Sequence, residues 1–227
     1  MLKSDVECGN GFYGRVVRSF ARLTAPLRNR ITQTITPNVW SKGTRDYISG
    51  VPRPSTKYAK RVFGSAEIAV AEIGVAEGIN AESILEMLNV KKMFLVDPYE
   101  PYFTDARIGD GVTPRGIETK FVDINAKVLV AERLARFKSK IEFVPLYSTE
   151  AVHVIPKVDF AYIDANHDFP HVTEDIENYW PKIKPGGILS GHDFEQNYPG
   201  VTKAVVNFAV HNDLQLFTEH VDWWFKK

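Results

Sequence analysis

An aspartate and a histidine follow one short apolar run of the sequence. The run "VDFAYID" ends at Asp164, and His167 comes three residues later, in "ANHDFPH". A carboxylate and an imidazole can bind a divalent cation together, and an imidazole can also accept a proton during catalysis. The same two side chains could instead only cap the end of a strand. Their spacing leaves both interpretations open, so the rest of the chain has to decide.

Two glycines follow an earlier apolar run, in "EIGVAEGINAES". Gly74 and Gly78 would let the backbone approach a ligand, and the start of a helix offers free N–H groups to a carboxylate or phosphate. The spacing is not the dinucleotide-binding fingerprint, because Ala76 occupies the middle position. The alternative is a turn that begins a helix and binds no ligand.

Asp97 closes the next apolar run, in "VDPY". A carboxylate at the end of the second strand of an α/β sheet suits the two hydroxyls of a ribose. Pro98 forces a turn at this point, so Asp97 could instead cap the strand. The glycine loop that precedes it favours the ribose-binding role.

From residue 66 onward, apolar runs alternate with helical patterns in the way that is typical of α/β proteins. Strands are predicted at 67–74, 92–98, 140–146, 158–164, 186–193, 214–219 and 221–226. Helices are predicted at 80–89, with Asn80 as N-cap, and at 124–137, 171–183 and 200–212. This order predicts a mostly parallel sheet with helices on both faces. The last two strands should be antiparallel, because too few residues separate them for a crossover helix. The irregular segment 100–120 is either a substrate lid or a surface insertion.

The charges divide the chain into two parts. Its 227 residues carry no net charge, but residues 1–61 have a net charge of +9 and residues 62–227 one of −9. The division predicts a basic N-terminal arm joined to an acidic α/β domain. One helical face of the arm is apolar: Phe12, Val16, Phe20 and Leu23. Such a face is expected to pack in a homodimer or to fold back on its own domain, and membrane binding is the alternative.

Composition excludes several classes of protein. Hydrophobic residues make up 44% of the chain and charged residues 25%, as in ordinary soluble domains. No apolar run approaches the ~20 residues that cross a bilayer, and the N-terminus has no apolar segment of the secretory type. Cys8 is the only cysteine, so an intramolecular disulfide is excluded. These features favour a cytoplasmic protein, and the acidic domain argues against a nucleic-acid substrate.

Together these motifs resemble those of the class I S-adenosylmethionine-dependent methyltransferases, over about residues 66–227. The resemblance rests on "EIGVAEG", "VDPY", "YIDANH", the turn "IKPGGILSGHD" and the closing pair of strands. It implies a Rossmann-like methyltransferase fold with a seven-stranded, mostly parallel sheet. It also implies cofactor-binding roles for Glu72, Gly74 and Gly78 at the methionine part, Asp97 at the ribose and Ser148 at the adenine. Tyr147 departs from the family pattern, in which an acid often precedes the residue that lines the adenine.

Within this superfamily the chain is most similar to metal-dependent small-molecule and sugar O-methyltransferases of the macrocin O-methyltransferase type. Those proteins present Asp-x-x-His at the end of the fourth strand and an acid pair at the end of the fifth. The matching residues here are Asp164 and His167, then His192 and Asp193, and His192 stands where an aspartate is more usual.

The resemblance therefore implies a metal site between these two strand ends, which should lie close because neighbouring strands are ~4.8 Å apart. Asp164, His192 and Asp193 would bind a divalent cation, Mg²⁺ or Mn²⁺. Asp164 and His167 would be the catalytic residues, with His167 as the base. The alternatives are a capping role for Asp193 and a buried, hydrogen-bonded His192.

The expected activity is S-adenosylmethionine-dependent O-methylation of a small hydroxylated acceptor, with the cation lowering the pKa of the acceptor hydroxyl. Two alternatives stay open. A non-catalytic protein that binds S-adenosylmethionine or a nucleotide would keep the glycine loop and Asp97 without using the second cluster. A nucleotide-dependent oxidoreductase is the other alternative, and the missing middle glycine argues against it.

Overall fold

The computed structural model describes residues 50–100, 102–103, 120–121 and 126–227. The predicted apolar helix face at residues 12–23 and most of the irregular segment 100–120 lie outside the described residues. None of the described helices is both long and apolar enough to cross a membrane.

The central strands are almost continuously apolar and buried, as expected for parallel strands that helices cover on both faces. The strands are β1 (Ile68–Ile73), β2 (Val90–Val96), β3 (Tyr102–Phe103), β4 (Lys120–Phe121), β5 (Ile141–Val144), β6 (Val158–Ile163), β7 (Ile183–Gly191), β8 (Phe217–Glu219) and β9 (Asp222–Lys226). Strands β3 and β4 form a separate antiparallel pair inside the predicted long connection.

Seven strands form the main sheet, in the order β5-β2-β1-β6-β7-β9-β8. The pairs from β5 to β7 are parallel, whereas β9 is antiparallel to both β7 and β8. This confirms the predicted seven-stranded, mostly parallel sheet with an antiparallel end. The connections change direction between β1 and β6, which are neighbours, and ligands of open α/β sheets bind beyond the strand ends at such a point.

Helices cover both faces of the sheet. They are α1 (Pro54–Phe63), α2 (Ile79–Met87), α3 (Ala126–Arg133), α4 (Ser148–Val154), α5 (Phe169–Tyr179) and α6 (Pro199–His211), with short 3₁₀ turns at Ala135–Phe137 and Trp180–Lys182. Neighbouring residues of a strand face opposite sides, so Val70 packs with α1, α2 and α3, whereas Ala71 packs with α4, α5 and α6.

The structure differs from the sequence prediction at several element ends. Helix α2 begins after Gly78, which is its N-cap in the left-handed conformation (φ 73°), so the prediction of Asn80 as N-cap is wrong. Helix α4 was not predicted at all. Strand β7 begins at Ile183, so the predicted Pro-Gly-Gly turn lies within the strand.

Helix α1 lies in the part of the chain that was predicted to be an arm. It belongs to the same compact unit as the sheet, and Ala59 on its inner face is fully buried. Its Tyr58 ring packs against Trp224 of β9, with 5.2 Å between ring centroids. Residues 54–61 therefore pack as part of the α/β domain, and the two-part division of the chain by charge stays a prediction.

Candidate functional site

The glycine loop after β1 lies directly against the end of β6. The N–H of Asp164 donates to the carbonyl of Ile73 at 2.7 Å, which aligns the two strand ends. Gly74 has a φ of 84°, and a Cβ there would lie 2.1 Å from the carbonyl oxygen of Asp164. Only glycine fits this position, because the φ is positive and the neighbouring backbone is too close. The loop is thereby held next to the candidate catalytic aspartate.

Asp97, at the end of β2, organises the same loop. Its Oδ2 accepts hydrogen bonds from the N–H groups of Val75 at 2.9 Å and Ala76 at 3.0 Å, and its Oδ1 accepts from Tyr99 at 2.8 Å. Carboxylate oxygens have several lone pairs, so these bonds leave Asp97 able to accept more. The structure places Asp97 against the loop between Gly74 and Gly78, and its ribose role stays a prediction.

Glu72 is a buried carboxyl on β1, close to the loop. Its Oε1 accepts a hydrogen bond from the Asn80 side chain at 2.8 Å. Its Oε2 and the Oδ1 of Asn80 are buried and have no hydrogen-bond partner among the described residues. Burial raises the pKa of Glu72 to about 8, and the charges of Asp164 and Asp97 also raise it, against the lowering effect of Asn80 and Arg53. These two buried acceptors are suited to a donor group from a ligand.

Ser148, predicted to line an adenine, begins helix α4. Its backbone carbonyl accepts from the Tyr179 hydroxyl at 3.0 Å. Its side chain hydrogen-bonds the buried Asp175 of α5, a carboxyl whose pKa burial raises to about 6 against the effect of that bond. The hydroxyl of Ser148 is therefore engaged with α5, and contact with an adenine stays a prediction.

Asp164, His167 and Asp193 converge beyond the ends of β6 and β7. Each offers one ligand atom, and these atoms lie within 4.8 Å of one another. Nε2 of His167 lies 2.7 Å from Oδ2 of Asp193 and 3.8 Å from Oδ1 of Asp164. Asp193 follows the end of β7 in the left-handed conformation (φ 61°), which aspartate tolerates better than most residues. We call these three residues the acid–histidine cluster.

His192 lies beside this cluster and contacts it only through Asp193. Its Nδ1 is 2.9 Å from Oδ1 of Asp193, and its Nε2 contacts Nη1 of Arg53. An arginine has only donors, so Nε2 of His192 accepts in this contact, and Nδ1 is the ring nitrogen that faces Asp193. The structure thus brings His167, rather than the predicted His192, together with the two carboxylates.

The residues of the cluster and His192 shift one another's pKa values. Burial lowers the pKa of His167, but the close approach and the charges of Asp164 and Asp193 outweigh burial and raise the pKa to about 10. Burial raises the pKa of Asp193, yet its bonds to His167 and His192 hold that pKa well below the usual range. For His192, burial lowers the pKa, and the bond to Asp193 with the nearby carboxylate charges raises it by more.

The sequence did not point to a group of buried residues that we call the Asp222 anchor: Ser55, Tyr162 and Asp222. Oδ2 of Asp222 accepts from the N–H of Ser55 at 3.1 Å and from its hydroxyl at 2.6 Å, and Oδ1 accepts from the Tyr162 hydroxyl at 3.0 Å. The anchor fixes the first turn of α1 and places Arg53, the residue before the helix, beside His192. Ser55 and Asp222 are 167 positions apart, so no local pattern could have indicated the contact.

A family model described as a methyltransferase domain matches residues 71–194, more than half of the chain. The chain belongs to this methyltransferase family. A sequence search of the curated proteins finds no match. The matched segment holds the glycine loop, Asp97 and the acid–histidine cluster, and it excludes Arg53 and Asp222.

Solved structures of methyltransferases share the fold. The calicheamicin methyltransferase CalS11 is 15% identical with a TM-score of 0.61, and the match covers 98% of this chain and 99% of that one. The O-methyltransferase NovP is 14% identical with a TM-score of 0.54, over 76% and 79% of the two chains. The O-methyltransferase from Bacillus cereus, solved in complex with SAH, is 11% identical with a TM-score of 0.54, over 82% and 89%. The protein is an S-adenosylmethionine-dependent methyltransferase of the Rossmann-like class.

Proposed function

We propose that this methyltransferase transfers the methyl group to a hydroxyl of a small molecule, with the assistance of a divalent cation. The observation that carries the proposal is the acid–histidine cluster, two carboxylates and an imidazole whose ligand atoms lie within 4.8 Å of one another. The close approach of Gly74 to the carbonyl of Asp164 puts this cluster next to the glycine loop, where the cofactor is proposed to bind. Two of the structures that share the fold, NovP and the Bacillus cereus protein, are described as O-methyltransferases.

The cofactor would be held by Glu72, Gly74 and Gly78 at its methionine part, by Asp97 at its ribose and by Ser148 at its adenine. The buried Oε2 of Glu72, which lacks a donor among the described residues, fits a polar group of the cofactor. S-adenosylmethionine, when bound, supplies a methyl group on a sulfonium, which a hydroxyl oxygen can attack. The residues of this chain would then act mainly by positioning the two reactants.

The cation would be held by Asp164, His167 and Asp193. Carboxylate oxygens suit Mg²⁺ and Mn²⁺, and the imidazole nitrogen favours Mn²⁺ or another transition metal over Mg²⁺. A cation in such a site lowers the pKa of a bound hydroxyl, which is what O-methylation needs near neutral pH. His192 would act beside the site by holding Asp193, since its own ring is bonded to Asp193 and Arg53.

His167 has two roles open to it, ligand and base, and both depend on the two carboxylates. With a pKa raised to about 10 it holds its proton at neutral pH, so in this arrangement it cannot accept another. A positive charge between Asp164 and Asp193 would offset the two negative charges that raise this pKa. The ring would then be neutral, either to bind the cation or to take the proton of the acceptor hydroxyl.

The test is S-adenosylhomocysteine formation on phenols, catechols and sugars, with and without a chelator. We expect activity to vanish on exhaustive chelation and to return with Mn²⁺ or Mg²⁺. Asp164→Asn should abolish the metal-dependent rate, whereas Glu174→Gln, at an exposed acid of α5, should not change it. Full activity after chelation would remove the cation from the mechanism. Cofactor binding without turnover on any acceptor would favour the non-catalytic alternative.

A further inference from the structure

Arg53 reaches the carboxyl edge of the sheet from outside the segment that the family model matches. Its Nη1 contacts His192, beyond the end of β7. Burial raises the pKa values of Glu72 on β1 and of Asp222 at the start of β9, and the positive charge of Arg53 offsets part of that rise in each. The guanidinium therefore lies beyond the end of β7, at the same edge of the sheet as Glu72 and the glycine loop.

Arg53, Glu72 and Asn80 are among the described residues with a buried polar atom that has no hydrogen-bond partner. Nε of Arg53 is buried and has no hydrogen-bond partner among the described residues. The same is true of Oε2 of Glu72 and Oδ1 of Asn80, which belong to side chains bonded to each other. Buried polar groups are normally paired, because an unpaired one costs about 1–3 kcal/mol. An unpaired donor and two unpaired acceptors are complementary to a zwitterion, which carries a carboxylate and an ammonium.

We propose that Arg53 binds the carboxylate at the amino-acid end of the cofactor, while Glu72 and Asn80 accept hydrogen bonds from its ammonium. The inference rests on the use of S-adenosylmethionine and is independent of metal-assisted O-methylation. It assigns to the cofactor site a residue that precedes the matched segment, so the family pattern alone does not contain it.

The backbone at Arg53 is held in place, as a residue that binds a carboxylate requires. The Asp222 anchor holds the first turn of α1 through two hydrogen bonds to Ser55, two residues after Arg53. A guanidinium presents its donors in a rigid fork that matches a carboxylate, whereas a lysine would offer one compact charge. The arginine therefore contributes both charge and geometry, and lysine should replace it only in part.

The experiment compares two ligands on the full chain by calorimetry. S-adenosylhomocysteine carries the amino-acid end, and 5′-methylthioadenosine has the same adenosine and thioether without it. We expect Arg53→Gln to weaken binding of S-adenosylhomocysteine by about 10–100-fold, the loss of a charge-assisted hydrogen bond, and to change binding of methylthioadenosine by less than about threefold. Arg53→Lys should recover part of the loss. Arg61→Gln, at an exposed basic residue of the same helix, should change neither ligand.

Glu72→Gln provides a second variant of nearly the same shape. It should also weaken S-adenosylhomocysteine selectively, because it removes the charge that pairs with the ammonium. Equal weakening of both ligands in Arg53→Gln, with a lower melting temperature, would show a structural role and overturn the inference. Unchanged binding of both ligands would also overturn it. Failure of the unsubstituted chain to bind S-adenosylhomocysteine would overturn the cofactor assignment itself, whereas loss of metal dependence alone would leave this inference standing.

Discussion

The acids at the ends of β1 and β2 accept hydrogen bonds from the glycine loop and its flanking residues, whereas those beyond the ends of β6 and β7 contact a histidine. Asp97 accepts hydrogen bonds from the backbone of the glycine loop and of Tyr99, and Glu72 accepts one from Asn80 in the next helix. Asp164 and Asp193, by contrast, face His167 across two strand ends. Asp97 therefore orders the glycine loop, whereas Asp164 and Asp193 share an imidazole whose protonation state depends on both carboxylates.

The two groups of acids are therefore expected to respond differently to substitution. An acid that orders backbone N–H groups supports the shape of a site, so its loss should weaken ligand binding and stability together. An acid that is balanced by a histidine controls a protonation state, so its loss should affect turnover far more than cofactor binding. The following experiments test this contrast.

The largest effect is expected for Asp193→Asn. The substitution removes the carboxylate that lies 2.7 Å from His167 and one of the three groups proposed to hold the cation. Turnover should fall by about 10²–10⁴-fold, the range for loss of general acid–base catalysis, while S-adenosylhomocysteine affinity stays within about threefold. Rate measurements and calorimetry on the same preparation check both parts. A parallel loss of cofactor affinity would contradict the separation of the two sides.

Gly74→Ala should damage both sides at once. The new Cβ would meet the Asp164 carbonyl at 2.1 Å, and the positive φ is unfavourable for alanine. We expect a loss of about 2–4 kcal/mol in the free energy of unfolding, measured with urea. The fraction of the variant that folds should also have a lower turnover. Gly78→Ala is the matched control. Its Cβ would meet only the Val130 methyl groups at 3.3 Å, so about 1 kcal/mol should be lost. Equal losses for both variants would show that the contact with Asp164 is unimportant.

Asp97→Ala should weaken cofactor binding by roughly 1–3 kcal/mol if it leaves ribose hydroxyls unpaired. Both S-adenosylhomocysteine and methylthioadenosine contain the ribose, so both should weaken by the same factor. This pattern differs from the one expected for Arg53, where only the ligand with the amino-acid end responds. Selective weakening of S-adenosylhomocysteine by Asp97→Ala would place the acid at the wrong end of the cofactor.

Glu72 should make the stability of the ligand-free protein depend on pH. Its pKa is raised from 4.5 to about 8 in the folded state, so the folded protein binds this proton more tightly than the unfolded chain. The contribution to stability is therefore fully present below pH 4.5 and is lost as the pH rises to about 8, by up to about 1.4 kcal/mol per pH unit. Glu72→Gln should remove this dependence and be the more stable protein at pH 8.5. Urea unfolding at pH 5 and pH 8.5 measures the free energy of unfolding of both proteins. An equal change in that free energy between the two pH values would contradict the prediction.

The smallest effect is expected for His192→Asp. Because Nε2 of His192 contacts Arg53, its ring is not expected to be a metal ligand. The ratio of the Mn²⁺ affinity to the Mg²⁺ affinity should therefore change by less than about threefold. Titration of each metal into the two proteins gives the ratio. A clear shift toward Mg²⁺ in the variant would restore His192 to the ligand set that the sequence implied.

The sequence was sufficient for the sheet because buried parallel strands leave strong apolar runs, and the spacing between those runs implies crossover helices. It was not sufficient for helix α4, Ser148–Val154, which at seven residues is too short to show a helical period. It placed Asp164 and Asp193 at neighbouring strand ends, but strand spacing does not give side-chain direction. The choice between His167 and His192 depends on the positive φ of Asp193 and on Arg53, which is 139 positions from His192.

The Asp222 anchor also has a consequence for the order in which the protein assembles. Each βα unit of the sheet can form from residues that are close in sequence, whereas the anchor must close a loop of 167 positions. Closure of a long loop costs conformational entropy before any contact is gained, so the anchor is expected to form late and to open first in local unfolding. Because Arg53 lies next to the anchor, a cofactor bound to Arg53 would stabilise the packing of the first turn of α1 on the sheet. Amide hydrogen exchange around Ser55 would then slow on cofactor binding, although that amide donates to Asp222.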